Sequence, residues 1–326
     1  MKNSISCSWF FSYLASWPPF CLASSLFLLN SCSNYFKNDY KDNSPTSGQL
    51  RVYYDEGLHR HAKNQIFTFE SLYGEVDITE ACTSESEAIQ ALYNDSCEAI
   101  MISRTLNLSE KKAFESKKYF PKYSPVALSG IALITNSATP LKGLKQEEIL
   151  KLLTQSYFFN DSLGNEIKLK VLLDKNNSSV IHYLTDSVLH AQKFSSDCNV
   201  IGSTLETINH VAKNKNTVAF IDFAWLSDVD DSITRANKDL IKLIPITKTG
   251  SNEYVFPSQS SFKTGKYPFI RTVYVMRKTG DFTLAKGFES FVAGPKGQLI
   301  FLKQGLLPSR QAERMVEIKL EPMDVK

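Results

Sequence analysis

Catalytic and metal-binding motifs are absent from this sequence of 326 residues. It has no G-x-S-x-G nucleophile motif, no Walker loop and no dinucleotide-binding fingerprint. No histidine has a cysteine, aspartate or histidine partner at an interpretable metal-ligand spacing. The histidines are His59, His61, His182, His190 and His210. An enzyme would need such a set of residues, so we expect a protein that is not an enzyme and holds neither metal nor cofactor.

Cysteine is also scarce, with six residues, three of which lie in the first 32 positions. The remaining Cys82, Cys97 and Cys198 are odd in number, so they cannot all pair within one chain. At this density disulfide bonds do not form the scaffold of a protein. Three buried thiols are the expected state, and a bond between Cys82 and Cys97 is the alternative.

Neither sign of charge dominates the sequence. Lysine and arginine number 37 and aspartate and glutamate 34, which gives a formal net charge of +3. No basic stripe stands out, whereas proteins that bind nucleic acid carry one to neutralise phosphates. We therefore expect no nucleic-acid partner.

The N-terminal segment has little charge and no uninterrupted membrane-spanning run. Residues 1–31 contain one charge, Lys2, and an apolar run that ends in L-F-L-L-N-S-C. Pro18 and Pro19 interrupt the run before it reaches the roughly 20 apolar residues of a spanning helix. The segment resembles a secretory signal closed by a bacterial lipoprotein box that ends at Cys32. A retained membrane anchor is the alternative.

Cleavage of this signal would make Cys32 the first residue, acylated through its sulfur. Residues 32–48, rich in Asn, Asp, Lys, Ser and Pro, then predict a flexible tether. We expect a protein of the cell envelope, lipid-anchored through Cys32 and either facing the periplasm or associated with the outer membrane. The sequence leaves open which membrane holds the anchor.

Apolar strands and amphipathic helices alternate from residue 49 onward. Strand-like runs include R-V-Y-Y-D (51–55), A-I-M-I-S (99–103) and S-G-I-A-L-I-T-N (129–136). The order predicts an α/β fold with mixed, mostly parallel sheets that are flanked by helices. Because the part after the tether is too long for one ordinary core, we predict two lobes.

The predicted lobe boundaries follow from where the chain would cross between them. The first lobe would comprise residues 49–135 and 268–326, and the second would comprise residues 136–267. Two crossings would then form a hinge. The polar region 248–267 contains several Ser, Gly and Lys residues and is expected to form loops rather than core.

Polar side chains follow several of the predicted strands. Asp55, Ser84 and Arg104 lie at strand ends or at the helix start that follows one. In the second lobe, residues 168–189 predict a strand, a polar turn and a helix that begins near Ser178 and Ser179. Ligands bind beyond the carboxyl ends of the strands in such sheets, and anions bind at helix starts. The alternative is that Ser178 simply caps its helix.

A series of short motifs covers nearly the whole chain after the tether. In order and spacing these motifs resemble the phosphate-binding lipoproteins of ABC transporters, the PstS type of periplasmic binding protein, and specifically its divergent Bacteroidetes-like members. The motifs are Y-Y-D-E-G-L (53–58), S-E-S-E-A-I (84–89), I-S-R-T-L (102–106), G-I-A-L-I-T-N (130–136), D-K-N-N-S-S (174–179), F-I-D-F-A-W-L-S-D (220–228), Y-P-F-I-R (267–271), G-F-E-S-F-V-A-G-P-K-G-Q (287–298) and G-L-L-P (305–308).

The resemblance implies a two-lobed Venus-flytrap fold that closes on one oxyanion at the hinge. In better-known members the second-lobe loop is approximately R-x-D-G-S-G-T, and its arginine, serine and threonine hold phosphate. Here Ser178 matches directly, but Asp174 occupies the arginine position and Val180 the threonine position. The missing positive charge would therefore have to come from across the cleft.

Arginine and carboxylate side chains complete the predicted site. Arg104 is the expected fork for the oxyanion, with a structural role as the alternative. Arg271 is the next candidate, with pairing to a carboxylate across the lobes as the alternative. Asp55 and Asp174 are the preferred acceptors for the proton that distinguishes phosphate from sulfate. The full predicted set is Asp55, Glu56, Gly57, Ser84, Arg104, Thr105, Asp174, Ser178, Ser179 and Arg271.

These observations predict an extracytoplasmic substrate-binding lipoprotein that captures inorganic phosphate, or a related oxyanion, for ABC-type uptake. Its expected partners are the anion, the membrane that holds the lipid on Cys32, and an ABC permease or another envelope complex. We expect a monomer. The alternative is a non-transport envelope lipoprotein that uses the same scaffold as a sensor or protein-interaction module.

Overall fold

A computed structural model describes residues 44–190, 192–278 and 280–310. The strands are β1 (Gly48–Asp55), β2 (Val76–Thr83), β3 (Ala99–Ile102), β4 (Lys122–Asn136), β5 (Leu144–Lys145), β6 (Tyr157–Asn160), β7 (Glu166–Leu173), β8 (Cys198–Val200), β9 (Thr217–Asp222), β10 (Ile241–Leu243), β11 (Ile246–Thr247), β12 (Tyr254–Val255), β13 (Ile270–Arg277) and β14 (Leu307–Pro308).

The helices alternate with these strands, as the sequence predicts. They are α1 (His59–Leu72), α2 (Glu85–Tyr93), α3 (Leu108–Ser116), α4 (Gln146–Thr154), α5 (Ser179–Leu184), α6 (Thr204–Lys213), α7 (Ser232–Asn237), α8 (Gln259–Lys263), α9 (Leu284–Val292) and α10 (Pro295–Lys303). Short 3-10 turns cover Glu56–Leu58 and Phe223–Trp225, and a π-helical turn covers Thr185–Leu189.

One mixed sheet runs through the molecule in the order β2-β1-β3-β13-β4-β9-β7-β6. At one end β1 is parallel to β2 and β3, and at the other β7 is parallel to β8 and β9. Between them, β13 and β4 run antiparallel to their neighbours. The predicted α/β fold with mixed sheets and flanking helices is confirmed.

Strand β4 belongs to both ends of this sheet. Its residues 122–130 pair with β13, and its residues 131–135 pair with β9. We call residues 44–130 and 270–310 the first lobe and residues 131–269 the second lobe. The chain crosses from the first lobe to the second at residues 130–131 and crosses back at residues 269–270. The two crossings lie side by side, because the backbone N–H of Ile131 donates to the carbonyl of Phe269 at 2.9 Å. The sequence-based boundaries at residues 135 and 268 stay a prediction.

The strands are buried because their apolar side chains pack under helices on both faces. Strand β9 is buried along its whole length, and Ile131, Ala132 and Leu133 of β4 have no exposed surface. Such nearly continuous apolar strands are typical of sheets covered on both sides. Residues of both lobes therefore share one hydrophobic core.

The prediction that residues 248–267 form only loops is wrong. This region contains β12 and α8, and it places Phe262 and Tyr267 in the core. Ser258 caps α8 by accepting from the backbone N–H of Ser261, and Phe262 then packs edge-on against Phe223 and Tyr267. The prediction relied on the polar composition of the region, which hides the few side chains that face the core.

Cysteine and membrane predictions have different outcomes. Cys82, Cys97 and Cys198 are free thiols, so the alternative of a Cys82–Cys97 bond is wrong; Cys97 is buried but Cys82 is exposed.

The signal segment 1–31, Cys32 and most of the tether lie outside the described residues. Among the residues that the structure does describe, no helix has the length and apolarity to cross a membrane.

The hydroxyl of Tyr267 holds the two crossing segments together. This buried side chain donates to the carbonyl of Ile131 at 2.6 Å. We expect Tyr267→Phe to lower the free energy of unfolding by about 1–2 kcal/mol, because a buried carbonyl loses its donor. Urea denaturation measures this change. Tyr254→Phe, at a half-exposed tyrosine, is the control and should change stability by less than about 0.5 kcal/mol. Equal effects in both variants would contradict the expectation.

Candidate functional site

Charged side chains from both lobes meet where the strands end. Asp55 ends β1, Asp222 ends β9 and Asp174 follows β7, and all three are buried. Arg104 follows β3, and Arg271 lies near the start of β13. The convergence that the sequence predicts at the carboxyl ends of the strands is therefore present in the structure.

A cavity of about 100 Å³ lies between the lobes at this point. From the first lobe it is lined by Glu85, Ser103, Arg104 and Arg271. From the second lobe it is lined by Ser179, His182, Tyr183, Asp186 and Ser187. Both lobes thus contribute polar side chains to one small cavity.

Two buried polar atoms of the lining have no partner among the described residues. They are the hydroxyl oxygen of Ser103 and Nε of Arg271. Both residues are only 5% exposed. A buried polar atom without a partner costs about 1–3 kcal/mol, so such atoms are rare in native proteins. A ligand with acceptor oxygens would satisfy both.

Arg271 is held in place by an ion pair between the lobes. Its guanidinium donates to Asp222, and both residues are buried. Asp222 also accepts from the hydroxyl of Ser129 and the backbone N–H of Ala224, each at 2.9 Å. The alternative stated for Arg271, pairing with a carboxylate across the lobes, is thus observed. The pair leaves Nε of Arg271 without a partner in the described structure.

Arg104 lines the cavity but its guanidinium fork is already occupied. Its Nε donates to Glu85 at 3.0 Å, and its two terminal nitrogens donate to Glu110 at 2.7 and 2.8 Å. It also donates to the carbonyl of Thr105 at 3.1 Å. These contacts favour the structural alternative for Arg104. Thr105 does not line the cavity.

Ser84 acts as a helix cap. Its hydroxyl accepts from the backbone N–H of Glu87 at 3.3 Å, and the Glu87 carboxylate accepts from the backbone N–H of Ser84 at 2.8 Å. This is the capping box that the S-x-x-E spacing predicts. Ser84 lies outside the cavity lining, whereas its neighbour Glu85 lies within it.

Asp55 joins the lobes behind the cavity. The hydroxyl of Ser179 donates to Oδ2 of Asp55 at 2.7 Å, and the backbone N–H of Gly57 donates to the same oxygen at 3.2 Å. A Cβ atom on Gly57 would lie 2.7 Å from a carboxylate oxygen of Asp222, so only glycine fits this close approach. Burial, together with the nearby charge of Glu85, raises the pKa of Asp55 to about 8.

Ser178 and Asp174 form a second contact that also lies outside the cavity lining. The hydroxyl of Ser178 donates to Asp174 and accepts from the backbone N–H of Ile181 at 3.1 Å. The alternative that Ser178 caps its helix is therefore observed. Burial raises the pKa of Asp174 to about 7. Nearby, Glu56 bridges the lobes through Nζ of Lys175 at 2.8 Å.

The helix after Ser178 is shorter than the sequence pattern predicts. Helix α5 ends at Leu184, and the π-helical turn continues to Leu189 before His190 adopts a left-handed conformation with φ 45°. This segment carries all the second-lobe residues that line the cavity. Ser179 stands at its start, and Asp186 and Ser187 stand two turns further on.

Sequence reasoning named three of the residues that line the cavity, namely Arg104, Ser179 and Arg271. The predicted set does not include the other lining residues, nor Asp222, the partner of Arg271; these lining residues are Glu85, Ser103, His182, Tyr183, Asp186 and Ser187. Two of the missed residues carried a usable signal, because Ser103 follows the apolar run A-I-M-I and Asp222 ends β9 as Asp55 ends β1. The assignment of the predicted set to ligand binding stays a prediction.

Comparison with known proteins identifies the fold. A family model described as a PBP superfamily domain matches residues 43–296. A phosphate ABC transporter substrate-binding protein from Clostridium perfringens, solved with bound phosphate, is 20% identical with a TM-score of 0.66, covering 81% of this chain and 100% of its own. An ABC-type phosphate transport receptor from Vibrio cholerae is 16% identical with a TM-score of 0.61, covering 80% of this chain and 100% of its own.

A regulatory protein has a similar fold. The CcmR regulatory domain from Synechocystis, solved in complex with 2-PG, is 12% identical with a TM-score of 0.51, and the match covers 76% of this chain and 96% of that domain. No curated protein matches the chain significantly by sequence. At these identities the structural matches establish the fold alone.

The raised pKa of Asp55 predicts a change in the pH dependence of stability. Because the folded protein retains a proton that an unfolded aspartate with pKa about 3.9 releases, this carboxyl group stabilises the fold less as the pH rises from about 4 to 8. We expect the free energy of unfolding of Asp55→Asn, taken relative to that of wild type, to rise by roughly 2–4 kcal/mol between pH 5 and pH 8. Urea denaturation at each pH measures this difference. Because all other titrating groups are the same in both proteins, the difference between variant and wild type reports the contribution of Asp55.

The exposed variant Asp239→Asn is the control, and its stability should follow the wild-type pH profile. If wild type and Asp55→Asn have parallel profiles between pH 5 and 8, the carboxyl group of Asp55 is ionised throughout this range.

Proposed function

The chain belongs to the PBP superfamily, and from this premise we propose that it is an extracytoplasmic substrate-binding protein that holds a small oxyanion, inorganic phosphate first among them, between its lobes. The predicted resemblance to periplasmic binding proteins is confirmed at the level of the family and the fold. The observation that carries the proposal is the pair of unpartnered buried atoms, Ser103 Oγ and Arg271 Nε, at one cavity between the lobes.

These two groups suit an oxyanion because both can donate hydrogen bonds to its oxygens. A hydrogen bond from a guanidinium to an anion is roughly twice as strong as a neutral one. Ser179 and Arg104 line the same cavity, but their hydrogen bonds go to Asp55 and to Glu85 and Glu110. Arg271 supplies the positive charge from the first lobe. A charge from that lobe is needed because Asp174 occupies the position at which better-known members of the resembled family have an arginine.

Glu85 is the residue that we propose accepts the proton of monohydrogen phosphate. It lines the cavity, is 1% exposed, and accepts from the backbone N–H of Ser103 at 2.9 Å and from Nε of Arg104 at 3.0 Å. A carboxylate oxygen can accept two hydrogen bonds, so each oxygen retains one free lone pair. Sulfate has no proton to donate and would be repelled. Asp55 and Asp174, which the sequence favoured for this role, lie behind the lining.

Delivery to an ABC permease and attachment through a lipid on Cys32 belong to the same proposal. They rest on the signal-like segment 1–31 and on the fold, which this chain shares with transporter receptors. A monomer would suffice, because one chain supplies both walls of the cavity.

A sensor or protein-interaction lipoprotein is the second candidate. The observation that favours it is the occupied fork of Arg104, which leaves Arg271 as the main cation for an anion in the cavity. The fold also occurs in a regulatory domain. An envelope sensor would bind its ligand in the same cavity but would have no permease partner.

Ser103→Ala tests the proposed site with little risk to the fold. Because the hydroxyl of Ser103 has no partner among the described residues, its removal breaks no hydrogen bond there. We expect phosphate binding to weaken about 10- to 100-fold, the equivalent of one hydrogen bond to a charged group. Isothermal titration calorimetry with phosphate, sulfate and acetate measures the affinities, and thermal unfolding should be unchanged.

Ser178→Ala is the matched comparison. It should lower the unfolding free energy by about 1 kcal/mol through loss of the helix cap, while phosphate affinity changes by less than about 3-fold. Weaker binding in Ser178→Ala than in Ser103→Ala would support the sequence-based site instead. Absence of heat and of thermal shift with all three anions in wild type would refute the substrate-binding proposal.

A further inference from the structure

The cavity continues past the oxyanion donors along one face of the second-lobe helical segment. Ser179 lines it at one end, His182 and Tyr183 follow one turn later, and Asp186 and Ser187 follow a turn after that. Seven residues at about 1.5 Å each separate Ser179 from Asp186 by roughly 10 Å along the axis. Asp186 and Ser187 are exposed, so this end of the cavity opens to solvent.

The closed end of the cavity holds the buried donors, since Ser103 and Arg271 are each 5% exposed. The open end holds the exposed residues Asp186 and Ser187. A substituent on the anion would therefore run outward between His182 and Tyr183 toward Asp186. The side chain of a helical residue tilts toward the N-terminus of its helix, which brings the Asp186 carboxylate back toward the anion.

Asp186 has no partner of its own. Within the described ranges, 44–190, 192–278 and 280–310, its carboxylate makes no hydrogen bond and no ion pair. Each arginine of the lining, by contrast, is matched by carboxylates: Arg271 by Asp222, and Arg104 by Glu85 and Glu110. Asp186 is thus a negative charge in excess at the mouth of the cavity.

A ligand that carries a positive group beside its anionic head complements this charge distribution better than an inorganic anion does. The cavity and the residues paired to its lining carry four carboxylates, on Glu85, Glu110, Asp186 and Asp222, against the guanidinium groups of Arg104 and Arg271. Adding two negative charges increases the imbalance, whereas an ammonium group near Asp186 would reduce it. The ring of Tyr183 lies along the path and can also favour a cation.

We propose that the ligand is a small zwitterion, in which a phosphonate or phosphate head occupies the donors Ser103 and Arg271 and an ammonium group on a short alkyl chain pairs with Asp186. This inference deepens the proposed substrate-binding function and rests on it. It assigns the head group to the buried end of the cavity and the amine to its open end. Asp186 is then the specificity-determining residue of the site.

The experiment compares ligands that differ only in the amine. The wild-type protein is titrated calorimetrically with 2-aminoethylphosphonate and 3-aminopropylphosphonate, with ethylphosphonate and propylphosphonate as the amine-free counterparts, and with inorganic phosphate. We expect at least one aminoalkyl ligand to bind about 3- to 10-fold more tightly than its amine-free counterpart, the size of a partly exposed ion pair. Asp186→Asn should abolish this difference. Because the substitution also removes a negative charge from the mouth of the cavity, ethylphosphonate should bind the variant at least as tightly as it binds wild type.

Asp239→Asn, an exposed aspartate outside the cavity lining, is the matched control and should retain the preference for the amine. Equal affinities for aminoalkyl and alkyl phosphonates in wild type would overturn the inference. So would a preference for the amine that persists in Asp186→Asn. If phosphate binds and no phosphonate does, the zwitterion is excluded while the proposed function stands. If no compound binds, the proposed function fails with it.

Discussion

The buried ion pair between Arg271 and Asp222 is the interaction on which the site depends. Burying two charges is costly unless they are paired and their remaining hydrogen-bonding groups are satisfied. Asp222 is satisfied by Ser129 and by the backbone of Ala224, but Arg271 retains an unpartnered Nε beside the cavity. Since the pair joins β13 of the first lobe to β9 of the second, one contact both holds the lobes together and provides the cation of the candidate site.

The place where polar side chains of the two lobes converge could be predicted from the sequence because local patterns determine it. Apolar runs that end in a polar residue marked Asp55 and Asp174, and parallel strands bring such ends to one edge of a sheet. The capping box at Ser84 and the cap at Ser178 were likewise local signals, and both are present. Predictions that depended on a strand ending or a helix beginning therefore agree with the structure.

The direction of individual side chains could not be predicted in this way. Ser178 and Ser179 are adjacent, yet one hydroxyl faces Asp174 of its own lobe and the other faces Asp55 of the opposite lobe. Successive residues at a helix start point about 100° apart, so the outcome depends on how the helix is oriented against the first lobe. The fork of Arg104 is similar, because its engagement with Glu85 and Glu110 follows from the packing of two helices.

Strand β4 supplies a central strand to both halves of the sheet, and this sharing affects how the protein unfolds. Residues 131–135 complete the ladder of β9, while residues 122–130 of the same strand complete the ladder of β13. Loss of β4 from the sheet would leave backbone groups of both β9 and β13 without their partners. The two lobes should therefore melt as one cooperative unit.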